Sequence, residues 1–156
     1  MYLFVIYIIM LSRNSTSYPI NLSNRIKKIY KDYKSIQNPT LMFHQYLIRD
    51  FFTDPVFNMS KDDNSRGLLI QHEVGTGKTI LAASILVALL DIRQPVILVA
   101  KSLQQNFLNN IDKIIEDKSL SERIKTRIIF VSIDAYNSGS QMKEKSGTLN
   151  GKLLIV

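Results

Sequence analysis

Gly67-Leu68-Leu69-Ile70-Gln71-His72-Glu73-Val74-Gly75-Thr76-Gly77-Lys78-Thr79 runs from a short apolar stretch through a glycine turn into the start of an apolar helical pattern. Its end matches the Gly-Lys-Thr of the phosphate-loop pattern G-x-x-x-x-G-K-[ST], with His72 standing at the first glycine position. Gly75 and Gly77 permit backbone angles that other residues resist, and they put no side chain between an amide and an incoming anion. Successive N–H groups can then turn inward as a nest at the N-terminus of the next helix, where the helix dipole also favours negative charge. Lys78 has the mobile point charge that the β- and γ-phosphates of ATP require, and the Thr79 hydroxyl can complete the coordination of Mg²⁺. The expected ATP-binding residues are therefore Val74, Gly75, Thr76, Gly77, Lys78 and Thr79, with Lys78 catalytic and Thr79 the metal-binding one. A glycine turn that merely introduces a helix would carry the same letters. The apolar run before it and the strong helix after it favour the phosphate reading.

Working outward, residues 67–70 read as a buried strand and 78–90 as a helix whose apolar residues, Ile80, Leu81, Ile85, Leu86, Leu89 and Leu90, occur on most of its sides. Residues 91–94 form a turn, 95–100 a second strand with Pro95 at its beginning, and 103–115 a helix. Residues 127–131 and 153–156 read as further strands, and the polar 138–148 as loop. Strands alternating with helices predict an α/β fold with a parallel sheet covered on both faces. Upstream, 21–34 and 40–52 read as two helices separated by Asn38-Pro39, and 54–66 as an exposed connector. The first of these helices carries Arg25, Lys27, Lys28, Lys31 and Lys34 on one face, which suits either phosphate contact or a solvated surface.

Composition sets wider bounds. The 156 residues are 46% hydrophobic and 21% charged, a globular profile, and the chain has no cysteine, which excludes disulfides and thiolate metal sites. A net charge of +7 favours polyanions, yet abundant Lys, Ile and Asn are also what AT-rich coding produces, so the charge alone decides nothing. The apolar start, residues 1–11, is shorter than the roughly twenty residues of a membrane span. It also lacks a basic flank and a cleavage signal, so a membrane partner is not expected. His72 reads as a structural residue at a strand end, Glu73 as a loop-shaping one, and His44 as a partly buried packing residue. No metal-ligand spacing and no Ser-His-Asp arrangement is present.

With His72-Glu73-Val74-Gly75-Thr76-Gly77-Lys78-Thr79 as it stands, the chain resembles superfamily 2 DNA/RNA helicases and translocases over residues 40–156. It is most similar to the branch in large DNA viruses of eukaryotes that includes the poxvirus nucleoside triphosphatase and early transcription factor helicases. The resemblance implies a P-loop, RecA-like α/β domain preceded by N-terminal helices, with 1–39 an extension. It implies that Gln45, in Phe43-His44-Gln45, reads adenine, for which an amide offers a donor and an acceptor together. Lys101 and Ser102, after the second strand, would touch a nucleic-acid backbone, although the proline frequent in that loop is absent. Phe130 to Tyr136 resembles a further family segment loosely. Leu153-Leu154-Ile155-Val156 is similar to the strand that delivers an Asp-Glu pair, and the sequence ends before such a pair appears. The expectation is thus the nucleotide-binding part of an ATP-dependent helicase or translocase. It would act on DNA or RNA with transcription or replication machinery, in cytoplasm or virion, and hydrolyse little by itself. A different P-loop enzyme, such as a kinase or AAA-type remodeller, and a non-catalytic binding fragment are the alternatives.

Overall fold

The computed structural model describes residues 18–53, 69–71, 73–147 and 152–156. The chain divides into two compact units, Met1–Lys78 and Thr79–Val156, and the division falls at the start of the helix that follows the glycine loop. The expected connector at 54–66, the apolar N-terminus and His72 lie outside the described residues.

In the first unit, α1 (Tyr18–Ser35) and α2 (Phe43–Thr53) pack through their apolar faces. Ile29, Leu47 and Phe51 form the buried centre, with Leu22, Ile26, Phe43 and Tyr46 against it. Aromatic edges tighten the contact: the Tyr30 and Phe43 rings meet edge to face at 5.1 Å. Arg25 lies over the Phe51 ring at 4.3 Å and pairs with Asp50 at 3.6 Å. Asn38 takes a left-handed φ of 51°, a conformation its short polar side chain tolerates, and Pro39 follows. The second helix begins later than residue 40. The reason is local: the Met42 N–H is held by Gln45 Oε1 at 2.9 Å, the backward half of a capping box.

From α3 (Lys78–Leu89), whose first residue closes the first unit, the second unit continues through β1 (Gln94–Val99), a 3-10 turn (Lys101–Leu103), α4 (Gln104–Ile114), α5 (Lys118–Thr126), β2 (Ile129–Ser132), α6 (Ser138–Ser146) and β3 (Lys152–Ile155). The strands form a parallel sheet in the order β2-β1-β3, so the central strand is the earliest in sequence among the described residues. Val96 pairs with Ile129 on one side and Leu154 on the other. Val96, Ile97, Val131, Leu81, Leu86 and Ile111 are almost wholly buried. Phe107 of α4 meets Phe130 of β2 edge to face at 6.3 Å, fixing that helix on the sheet.

Two elements depart from the sequence reading. Residues 138–146 form a helix where loop was expected. Gly139 falls in its first turn, where glycine is tolerated, and Gly147 at φ 63° ends it with its N–H on the Lys143 carbonyl at 2.8 Å. The strand expected at 67–70 lies partly outside the described residues; Leu69 and Ile70, which are described, carry no strand, and Leu69 is exposed.

Helix α5 has no counterpart in the expectations. Asp117 caps it, accepting from the Ser119 and Leu120 amides at 2.8 and 3.2 Å. A polar cluster joins it to α4: Ser121 Oγ donates to Asp112 Oδ1 at 2.7 Å, and Lys125 pairs with Asp112 and Glu122. The Lys125 ammonium, with the Ser121 hydroxyl, holds the Asp112 carboxyl below its ordinary range. Asp112 and then Glu122 raise Lys125. Because the Asp117 carboxylate satisfies two otherwise orphaned donors, Asp117→Ala should cost about 1 kcal/mol, read as a lower urea midpoint at unchanged slope.

Candidate functional site

The loop before α3 has the backbone that its glycines allow. Gly75 has φ 85° and Gly77 φ 78°, while Thr76 between them is not in the left-handed region. The chain therefore alternates in hand over three residues, the conformation that turns successive amides toward one point. A Cβ built on Gly75 would meet nothing within 4 Å, so the glycine is required there by conformation and not by crowding. Helix α3 starts at Lys78, and its first four N–H groups have no partner of their own within the helix. Left-handed glycines immediately before a helix start are the local backbone pattern that an anion nest uses.

Side chains close the loop on itself. Thr76 Oγ1 donates to the Glu73 carbonyl at 2.8 Å, and Lys78 Nζ donates to the same oxygen at 2.8 Å. The ammonium is thereby folded back over the loop, and the role expected of Glu73, shaping this turn, is carried by its backbone. Val74 is almost fully exposed, Glu73, Gly75 and Lys78 are exposed, and Thr76, Gly77 and Thr79 are half-buried. Thr79 is the second residue of α3.

Gln45 is brought to this loop from α2, 32 positions before Gly77. Its side chain is buried, at 3% exposure, so it is not a surface glutamine. Nε2 donates to the Thr76 carbonyl at 3.2 Å and to the Gly77 carbonyl at 3.3 Å, while Oε1 accepts from Met42. Both amide hydrogens are committed to the loop, and one Oε1 lone pair remains for another donor. His44, half-buried, brings Nε2 to 3.4 Å from the Thr76 carbonyl, where a carbonyl can only accept. These two contacts to the loop backbone were missed by sequence reasoning. The signal was present in part, since Phe43-His44-Gln45 was singled out, but for a base contact.

In the second unit, Lys101 and Ser102 lie in the 3-10 turn directly after the central strand, both exposed. The carboxyl ends of strands in a parallel sheet are where such folds bind ligands. The same end of β2 leads into Ile133, whose N–H bonds the Val99 carbonyl at 3.3 Å, and then to the fully exposed Tyr136. Among the described residues no group of three or more His, Cys, Asp or Glu could hold a metal ion. No helix among them is long and apolar enough to cross a membrane.

Comparison with known proteins adds an independent line. Residues 16–156 match the family described as type III restriction enzyme, res subunit (ResIII). Termination factor NPH-I homologs of African swine fever virus, from a Malawi tick isolate, a Kenya pig isolate and a South Africa tick isolate, are each 37% identical over 163 residues. That stretch covers 92% of this chain and 23% of each relative, so the chain spans under a quarter of the length of the curated relatives it matches. No solved structure matches it.

Proposed function

This chain belongs to the type III restriction enzyme, res-subunit family of helicase-like proteins, whose fold is a RecA-like P-loop domain, and we propose that it binds ATP with Mg²⁺ to drive movement on DNA or RNA. The observation that carries the proposal is the alternating glycine backbone at Gly75 and Gly77 immediately before α3, with Lys78 folded over it.

In this reading the amides from Val74 to Thr79 cradle the phosphates, and the Lys78 ammonium exchanges the Glu73 carbonyl for phosphate oxygens. Thr79, on the first turn of α3, would offer its hydroxyl to Mg²⁺; the triphosphate would bring the negative charge that the loop amides stabilise, and the ion would neutralise part of it. Gln45 holds the loop through its two N–H groups and offers its remaining Oε1 lone pair to the adenine amino group. Lys101 and Ser102 contact the sugar–phosphate backbone from the carboxyl end of β1. The viral relatives are termination factor homologs, which supports placing the whole protein with transcription machinery.

Nucleic-acid binding separates this reading from a P-loop enzyme of another kind. Anisotropy of a labelled single-stranded oligonucleotide should report affinity that falls with salt, and Lys101→Ala should make the log–log slope shallower by about 0.7. Binding that ignores salt, or no binding in any nucleotide state, would remove nucleic acid as the partner.

A further inference from the structure

We propose that the outer face of α1 (Tyr18–Ser35) is a second surface for a nucleic-acid backbone, carried by Lys27, Lys28 and Lys31 and distinct from the turn at Lys101. The proposal rests on the nucleic-acid reading above and names a further contact site for it.

The helix has two unlike faces. Its inner face is used in packing: Ile29 is buried, and Leu22 and Ile26 lie against the Leu47 and Phe51 cluster. Arg25 is also occupied, by Asp50 and the Phe51 ring. Lys27, Lys28 and Lys31 are exposed on the remainder. None of the three has a carboxylate at ion-pair distance among the described residues. Asp32 is the single acid of the helix.

An ordinary solvated helix face places opposite charges three or four residues apart, because such pairs support the helix. This chain does so elsewhere: Lys125 meets Glu122 at spacing three on α5 and is joined by Asp112 of α4. On α1 the same spacings mostly hold like charges: Lys27 with Lys31 and Lys28 with Lys31 oppose the helix, and against them stands the one opposite pair of the group, Lys28 with Asp32, which form no ion pair among the described residues. Lys34 sits in the last turn, where the dipole welcomes a cation, but Lys27 and Lys28 lie mid-helix, where it offers nothing. A repulsion kept on a face that packing holds rigid is what a surface waiting for phosphate looks like. Tyr30, half-exposed beside these lysines with Lys34 Nζ 5.5 Å from its ring, adds an aromatic surface for an unstacked base.

A lipid surface is the competing polyanion. A helix lying on a membrane buries its apolar face among the acyl chains. Here that face is already covered by α2, leaving charge without an anchor.

The test uses the whole chain with Lys27→Gln, Lys28→Gln and Lys31→Gln combined, alongside Lys101→Ala. Anisotropy is measured against salt on a single-stranded oligonucleotide and on a duplex. The slope of log affinity against log salt should become shallower by about 2 on the single strand and by about 3 on the duplex. ATP affinity should stay unchanged, and the corresponding triple arginine variant should retain the original slope. An unchanged slope in the triple glutamine variant, with a shallower one in Lys101→Ala, removes α1 while leaving the translocase reading intact. No salt-dependent binding by the parent chain overturns both. Binding to phosphatidylserine-containing vesicles that the glutamine variant loses, while its nucleic-acid slope stays put, reassigns the face to lipid.

Discussion

Replacing Lys78 with alanine should weaken ATP binding about ten- to a hundredfold while leaving the fold intact. The size follows from the loss of charge-assisted hydrogen bonds, worth about 1.5–3 kcal/mol, at about 1.4 kcal/mol per tenfold. The tolerance follows from exposure: the Lys78 side chain lies outside the core, and its described bond is to the Glu73 carbonyl. Surface changes away from packed or buried polar features usually stay within about 0.5 kcal/mol. Titration calorimetry with ATP and Mg²⁺ reads the first effect and thermal denaturation the second. Equal ATP affinity in the two proteins would take from Lys78 the role assigned to it.

Gln45→Ala is expected to do something different, damaging the protein before any nucleotide arrives. The buried amide serves the Thr76 and Gly77 carbonyls and the Met42 N–H at once. Truncation strands three backbone groups beside a buried position, at a cost of about 2–3 kcal/mol after relaxation. For a chain of this size that is a fall of about 5–10 °C in Tm. Gln45→Glu is the sharper variant. It keeps the acceptor for Met42 but turns oxygen toward both loop carbonyls, so the loop should loosen more than with alanine and ATP affinity should fall with it. A residue that only read the base would leave nucleotide-free stability untouched and change ATP against GTP preference alone. That pattern in the measurements would dismantle the clamp.

These two residues also show which features are written locally in the sequence and which are not. The turn and helix start around Lys78 are legible because everything that defines them is local: two glycines before the lysine and a strong helix after it. The strands at Gln94–Val99 and Ile129–Ser132 are legible for the same reason, since a continuous apolar run in a buried parallel strand announces itself. Gln45 was noticed, but the two loop carbonyls it holds lie more than thirty residues downstream, and no local pattern reports a contact at that separation. The helix at Ser138–Ser146 hides for another reason. Its residues are polar all round, so periodicity is silent, and the ending at Gly147 reads equally as a loop glycine. Helix Lys118–Thr126 was legible in principle through Asp117, an N-cap residue, but its apolar stripe is too thin to draw attention.

The central position of a strand that precedes both its neighbours in sequence has a consequence for synthesis. Gln94–Val99 is flanked by two strands that the ribosome makes later, and Gln94 pairs with Lys152. At roughly 5–20 residues per second, several seconds pass between the emergence of this segment and that of its last neighbour. Until then Val96 and Ile97, which end almost completely enclosed, face solvent with a backbone edge open. A newborn chain therefore passes through an interval with this apolar strand uncovered, in which association with other chains competes with completion of the sheet.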